Sequence, residues 1–475
     1  MMTKYTLSLL TGAALCLPVA LNAQAAPENL LPEERPQIVQ PVAEPEYNAP
    51  TTGTPLDLPA EATATAQPET TATAVPETIV TVQPVAPDTQ SWSTDQTMAL
   101  VAVIDGIAAE GLDPADYDAA GLRIAANGDA ATLSREASKR FAWLVEDVRD
   151  GRTPMSARKQ WFVMDPDADR YRTAEVMERA LADGDIAGAL ASIAPEHPDY
   201  ARLRKELASV DAQSKQGKLI RANMDRWRWL PRDLGSQYLI TNVPEYQLRL
   251  TVNDNIVRTY RTIVGKPGRT ATPQLAESVE GVILNPTWTV PQSIVKGEGL
   301  GARVLGNPGW ARSKGYTATK GANGWVSVVQ GSGPGNALGK MKLDMPNRHA
   351  IFFHDTPSRG LFQNSARALS HGCIRTERAS ELALTLAILQ AGLTAEEGVE
   401  KLTSGKYTRV AFEKTMPAYI TYFTMAQDIN GKLSKFPDIY DRDAPVLASL
   451  DAPRVANRSR ITDEQIIVIE NDPRA

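Results

Sequence analysis

The spacing of apolar residues changes period near residue 223, and that change limits what the chain can fold into. Upstream the period is helical. Phe141, Leu144 and Val148 recur on one face before Gly151, Val176, Ala180 and Leu181 precede Gly184 in the same manner, and Leu203 and Leu207 continue the pattern. Downstream the period is two. Tyr246, Leu248, Leu250 and Val252 alternate with Gln247, Arg249 and Thr251, and Asn253-Asp254-Asn255 marks a turn before a strand over 256–264. Further strands are expected at 281–285, 350–355, 408–412 and 419–425, with a hairpin turn at Asn430-Gly431. Helices followed by strands define an α+β protein, with an α-helical domain over 91–218 and a mostly antiparallel β domain over 219–445. Between about 299 and 347 a Gly- and Lys-rich stretch with Trp310 and Trp325 follows neither period. A stretch of that length inside a domain is commonly a functional lid, or else disordered.

The ends of the chain have a different character. Residues 1–25 read as a secretory signal peptide: Lys4 is the only charge, 7–21 is largely apolar, and Ala23-Gln24-Ala25 predicts cleavage after Ala25. Pro18 interrupts the apolar run and no later stretch reaches the roughly 18 apolar residues of a span, so no stable membrane span is expected. Leu15 stands before Cys16 where a lipidation site favours a small residue. Residues 26–90 hold 12 of the 33 prolines and ten acidic residues against one base, Arg35, a composition that makes an extended, disordered tether. That tether carries −9, whereas the whole chain carries −6 and the signal +1, so residues 91–475 total +2. So small an excess, without a basic stripe, argues against nucleic acid as a partner. A polar tail is expected over 446–475.

The densest reactive chemistry lies between His349 and Arg375, which includes three of the four histidines and the run Ser370-His371-Gly372-Cys373-Ile374-Arg375. Once the signal is removed Cys373 is the only cysteine, so no disulfide forms within the mature monomer. A thiol near its ordinary pKa is mostly protonated at neutral pH, and a nucleophilic cysteine therefore needs a base or a positive environment. His371 and His354 are the candidates. His354 is the better placed, because it projects from the expected strand 350–355 on the same face as Phe352. Asp355 then points to the opposite face, which leaves a backbone carbonyl or another side chain to orient the imidazole. Gly372 permits a tight turn, and the N–H groups of Gly372 and Cys373, with His371, are candidates for holding an oxyanion. Leu382, Leu386 and Leu389 predict a helix ended by Gly392, whose N-terminal field favours the Cys373 thiolate if its axis points that way. Arg375 is suited to a carboxylate. Competing readings stay open at this point: an inert buried cysteine, Arg375 as a surface ion-pair partner, or a zinc site built from His354, His371 and Cys373. The zinc site lacks a further ligand at a familiar spacing.

Ser370-His371-Gly372-Cys373-Ile374-Arg375, preceded by His354-Asp355-Thr356-Pro357, resembles the signature of L,D-transpeptidases with a YkuD-type catalytic domain. Asn336-Ala337-Leu338-Gly339, the run from Asn223 to Pro231, Val264-Gly265-Lys266-Pro267 and the run from Asn285 to Pro291 are similar to the large periplasmic YcbB-like branch. Asp150-Gly151-Arg152 and the run from Pro195 to Tyr200 resemble that branch's scaffold domain. The resemblance implies acyl transfer in peptidoglycan, in cell-wall biogenesis and maintenance of cell shape. Cys373 is then the nucleophile, His354 the proton acceptor and donor, His371 and Gly372 part of the oxyanion turn, and Arg375 with Ser370 the substrate-binding residues. It implies peptidoglycan stem peptides as partners, with outer-membrane proteins as an alternative acceptor, a periplasmic location, and neither cofactor nor metal. Hydrolysis by an L,D-carboxypeptidase and a non-catalytic wall-binding protein are the other readings. Two departures stand out. The branch's peptidoglycan-binding module is missing between Val210 and Asp225, and Phe352 stands where some relatives have tyrosine.

Overall fold

The computed structural model describes residues 89–163, 170–455, 462 and 464. The signal, almost all of the tether and most of the last twenty residues fall outside the described residues.

The helical region opens with α1 (Thr94–Gly106), which Ser93 and Gln96 start with a reciprocal capping box. It continues through α2 (Ala119–Ala125), α3 (Ala130–Asp150), α4 (Thr173–Asp183), α5 (Ile186–Ala191) and α6 (Pro198–Leu207). Phe141, Leu144 and Val148 of α3 and Val176 and Ala180 of α4 point into one core with Leu100 and Ile104, as their spacing predicts. Only residues 208–214 separate α6 from α7 (Lys215–Trp227), so no further module intervenes there. The expected boundary at 218/219 cuts through α7. This helix is buried along both its scaffold and its β-domain faces, and a second core joins Tyr200, Leu203 and Leu207 to Trp227, Tyr238 and Phe423. Asp225, wholly buried, accepts hydrogen bonds from the amides of Arg152 (2.6 Å) and Thr153 (3.0 Å) and from Trp229 Nε1 (3.0 Å). The turn it holds passes through Gly151 at φ +85°, where a Cβ would lie 2.5 Å from Trp229 Nε1.

The β domain runs through β1 (Gln237–Asn242), β2 (Gln247–Val252), β3 (Asn255–Gly265) and β4 (Leu275–Leu284) before an insertion. The insertion comprises β5 (Trp288–Thr289), α8 (Gln292–Gly297), α9 (Leu300–Gly306), α10 (Pro308–Ser313), β6 (Tyr316–Lys320) and β7 (Val326–Gln330). The main sheet resumes with β8 (Met341–Asp344), β9 (Phe353–His354), β10 (Ala368–Ser370) and β11 (Ile374–Thr376). Then come α11 (Ala379–Ala391), α12 (Ala395–Thr403), β12 (Thr408–Thr421), the hairpin β13 (Met425–Gln427) and β14 (Leu433–Lys435), and α13 (Asp443–Asp451). Nine strands pair in the order β10-β3-β11-β9-β8-β4-β12-β1-β2, and β2 also pairs with β3, so the sheet closes on itself around Leu248, Val264, Val282, Phe353 and Ile374. Most pairings are antiparallel, but β11 runs parallel to β9, β10 parallel to β3 and β12 parallel to β1.

Four expectations need correction. The stretch over 299–347 is not without structure: its helices of six or seven residues are too short to display a period, and they pack Val290, Val295, Val304, Ala311 and Val328 into a small core of their own. Its expected end at 347 also took in β8, a strand of the main sheet. The strands expected at 408–412 and 419–425 are largely one, interrupted by a register shift between Ala411 and Met416 that breaks the alternation. The tail expected from 446 begins instead inside α13, whose Val446 and Leu450 are buried against α7. Arg454 beyond it pairs with Asp147 of α3 at 2.9 Å. Among the described residues no helix is long and apolar enough to cross a membrane.

Candidate active site

Three adjacent strands present the chemistry. His354 on β9 is in register with Lys342 on β8 and with Arg375 on β11. Residues paired across a sheet share a face, so Lys342, His354 and Arg375 form one row, and Cys373 immediately precedes β11.

The expected strand over 350–355 shrinks to Phe353–His354, because the preceding loop has its own organiser. Asn347 donates to the carbonyls of Met345 (2.8 Å) and Ile351 (2.7 Å) and accepts from the amides of His349 and Ile351. Ala350 takes φ +50°, and its carbonyl accepts from Cys373 Sγ at 3.6 Å. The His354 Nδ1–H donates to the main-chain carbonyl of Asp355 at 2.5 Å, which leaves Nε2 as the acceptor. The Asp355 carboxylate turns away, accepting from the Lys340 amide and from Arg359.

Burial, followed by Arg375 and Lys342, pushes His354 down to about 3 against the pull of the Asp355 carbonyl. The imidazole is therefore neutral at neutral pH. Cys373 keeps part of its surface open to solvent, yet the protein packs closely around its sulfur. Burial pushes the thiol up, opposed by the Phe352 backbone, Lys342 and Arg375. At rest the thiol and the imidazole are thus both neutral. Strand β11 and a short turn separate Cys373 from α11, so the thiol lies outside the first turn, where a helix field is felt.

Two expected roles change within the turn. Ser370 is buried; its hydroxyl donates to the Cys373 carbonyl at 2.6 Å and accepts from the Gly372 amide at 3.1 Å, so it clamps the turn and does not face a substrate. The same bond occupies the Gly372 N–H, which removes it as an oxyanion donor. Gly372 contributes its conformation, φ +124°, with its carbonyl held by Thr272 Oγ1 at 2.7 Å. The amides of His371 and Cys373 donate to no acceptor among the described residues. The His371 side chain is exposed and reaches Glu298 of the insertion at 2.8 Å. Arg375 is half-buried, and its guanidinium forms neither a hydrogen bond nor an ion pair with any described residue.

Sequence reasoning missed Lys342, although Met341-Lys342-Leu343-Asp344-Met345 alternates strictly and could have revealed the strand. Among the described residues no group of three or more His, Cys, Asp or Glu is arranged to hold a metal. His197 caps α6 through Nδ1 and stacks on Trp227 at 4.2 Å. With Trp227, Arg232 and Asp254 it lines a cavity of about 550 Å³ at the seam between scaffold and β domain, a cavity that none of the Cys373 row reaches.

The architecture is that of a helical domain leading into a closed β-sheet with a histidine on one strand and a cysteine just before the strand that pairs with it. Residues 236–395 match the L,D-transpeptidase catalytic domain of the YkuD family, and residues 88–207 match the Scaffold domain. The chain thus carries a YkuD L,D-transpeptidase catalytic domain preceded by a Scaffold domain. A putative L,D-transpeptidase of Haemophilus influenzae is 28% identical over 285 residues, covering 56% of this chain and 57% of that protein, so the chain spans little more than half the length of the relative it matches. Among solved structures, an L,D-transpeptidase from Mycobacterium smegmatis aligns at 13% identity and a TM-score of 0.20 over 39% of this chain and 58% of that one. A mutant L,D-transpeptidase of Enterococcus faecium aligns at 13% and 0.21 over 40% and 52%. Both overlaps are too loose to bear on the chemistry.

Proposed function

We propose that this protein is a periplasmic peptidoglycan L,D-transpeptidase that forms 3→3 cross-links through a Cys373 thioester. The observation that carries the reading is the convergence of Cys373, a neutral His354 with its Nε2 lone pair free, and an uncommitted Arg375 on neighbouring strands of a YkuD catalytic domain. His354 Nε2 takes the thiol proton as the sulfur attacks the diaminopimelate carbonyl that precedes the terminal D-alanine of a tetrapeptide stem. The amides of His371 and Cys373 face the developing oxyanion, and Arg375 takes a stem carboxylate. Collapse breaks the peptide bond, the imidazolium gives its proton to the departing D-alanine amine, and a thioester remains. The side-chain amine of a second stem then attacks the thioester, losing its proton to His354, and the thiol is regenerated.

The test is mass spectrometry of tetrapeptide muropeptides incubated with the purified protein. Cross-linked dimers and free D-alanine are expected, and both should vanish in Cys373→Ala while its circular dichroism is unchanged. Tripeptides alone would identify a carboxypeptidase, and muropeptides bearing an added protein would identify anchoring of an outer-membrane partner. Dimers formed by Cys373→Ala would remove the mechanism, and an absence of all products would favour a wall-binding protein.

A further inference from the structure

The row beside Cys373 contains a second cation that the reaction steps above do not use. Lys342 stands across from His354 in the β8–β9 pairing, on the side opposite Arg375, so the imidazole sits between two positive side chains. The lysine is held in place by an aromatic ring: its ammonium lies 3.8 Å from the centroid of Phe352, whose ring is in turn 5.7 Å from that of His354. Phe352 lies just before β9, and the contact between the two rings places it beside the imidazole.

We propose that Lys342 is a positioning residue for the acyl transfer described above: its ammonium, pinned on Phe352, sets the electrostatic field in which Cys373 and His354 exchange their proton. The inference rests on that proposed reaction. A cation near both groups moves them in the same direction. It favours the thiolate over the thiol and the neutral imidazole over the imidazolium, in keeping with the downward pull of Lys342 on both Cys373 and His354. The two effects largely cancel while the proton passes from sulfur to Nε2, because no net charge is created. They act together afterwards: the negative charge on the tetrahedral oxygen is stabilised, and the imidazolium becomes a stronger acid toward the D-alanine nitrogen that must leave. The charged groups facing the sulfur are Lys342 from β8 and Arg375 from β11. His354 from β9 is neutral, and His371 turns its ring outward to Glu298.

Lys342→Met and Lys342→Arg in the full chain test the proposal by two readouts. The first is the pH dependence of Cys373 alkylation by iodoacetamide, which requires no transpeptidation. For a unit charge two strands away, about 10 Å, removal should raise the midpoint by about one pH unit, on the order of tenfold in thiolate at neutral pH. The second is turnover: Lys342→Met should lower kcat far more than it raises KM, and Lys342→Arg should restore both profiles in large part. An unchanged alkylation midpoint in a folded Lys342→Met overturns the proposal, as does a pure KM effect, which would make Lys342 a substrate-binding group instead. If the midpoint shifts but no cross-linking occurs even in the unsubstituted protein, the field is upheld and the reaction assigned above is refuted.

Discussion

Replacing Ser370 by alanine removes one oxygen that serves two backbone groups of the turn around Cys373. In the folded protein that oxygen accepts from the Gly372 amide at 3.1 Å and donates to the Cys373 carbonyl at 2.6 Å, and the serine is only 2% exposed, so water cannot readily take its place. A buried backbone group left without a partner costs about 1–3 kcal/mol, and two groups that share one lost oxygen should together cost about 2–4 kcal/mol. For a cooperative unit of roughly 150–250 residues that corresponds to a fall in Tm of about 4–16 °C. Turnover should suffer separately, because the same turn aims the thiol and the free amides of His371 and Cys373; displacement by about 1 Å costs on the order of a hundredfold in rate. Thermal unfolding by circular dichroism and steady-state kinetics on a soluble tetrapeptide stem measure the two effects. Alkylation of Cys373 should persist, since Ala350 and Phe352 still surround the sulfur. An unmoved Tm together with a raised KM at constant kcat would refute the clamp and return Ser370 to the substrate-binding role expected from its place in the motif.

Two further outcomes follow from buried charges. Burial opposes ionisation of Asp225, but Arg228, Arg158 and the Arg152 amide outweigh it and hold the carboxyl below its usual range, so its stabilisation is present above the unfolded value of about 4 and is lost as pH falls through the folded value. Asp225→Asn should cost about 3–5 kcal/mol at neutral pH, and the gap in urea midpoints should narrow in acid; a gap independent of pH would sink the assignment. His354, neutral down to about 3, should give kcat/KM no acid limb in the ordinary imidazole range, and a limb between about pH 6 and 7 would contradict a buried neutral base.

Much of this was legible in residue types and periods. Cys373, His354 and Arg375 stand out as candidates because a lone thiol, a strand histidine and a nearby arginine are chemically distinctive, and the pairing of β9 with β11 brings them onto neighbouring elements; α3 is legible because Phe141, Leu144 and Val148 fill one face. Hydrogen bonds supplied what sequence spacing could not. Ser370 looked like a substrate contact until its oxygen proved to be fully engaged inside the turn, and the strand at 350–355 was over-extended because the bonds from Asn347 that bend it leave no periodic trace. Lys342 was hidden by distance along the chain: it meets His354 only through pairing of β8 with β9, across a loop whose fold cannot be read from composition. The helix α13 is hidden because its nine residues show no clear helical period and Pro445 in its first turn reads as a break.

The site's groups are held in place by separate polar devices. The Asp355 carbonyl fixes the imidazole, Asn347 bends the loop that brings the Ala350 carbonyl to the sulfur, Ser370 clamps the thiol turn, and Glu298 takes the exposed His371 ring. None of these contacts belongs to the apolar cores around Phe353 or Phe141, which hold the strands and helices together. Loss of one device therefore displaces one group of the proposed site while the cores persist, and the proposed activity should be more fragile than the fold. The two cations follow the same logic at longer range. They sit on β8 and β11, on either side of His354, so the field at the sulfur depends on strand register, and a slip of one residue in either pairing would turn a charge to the opposite face.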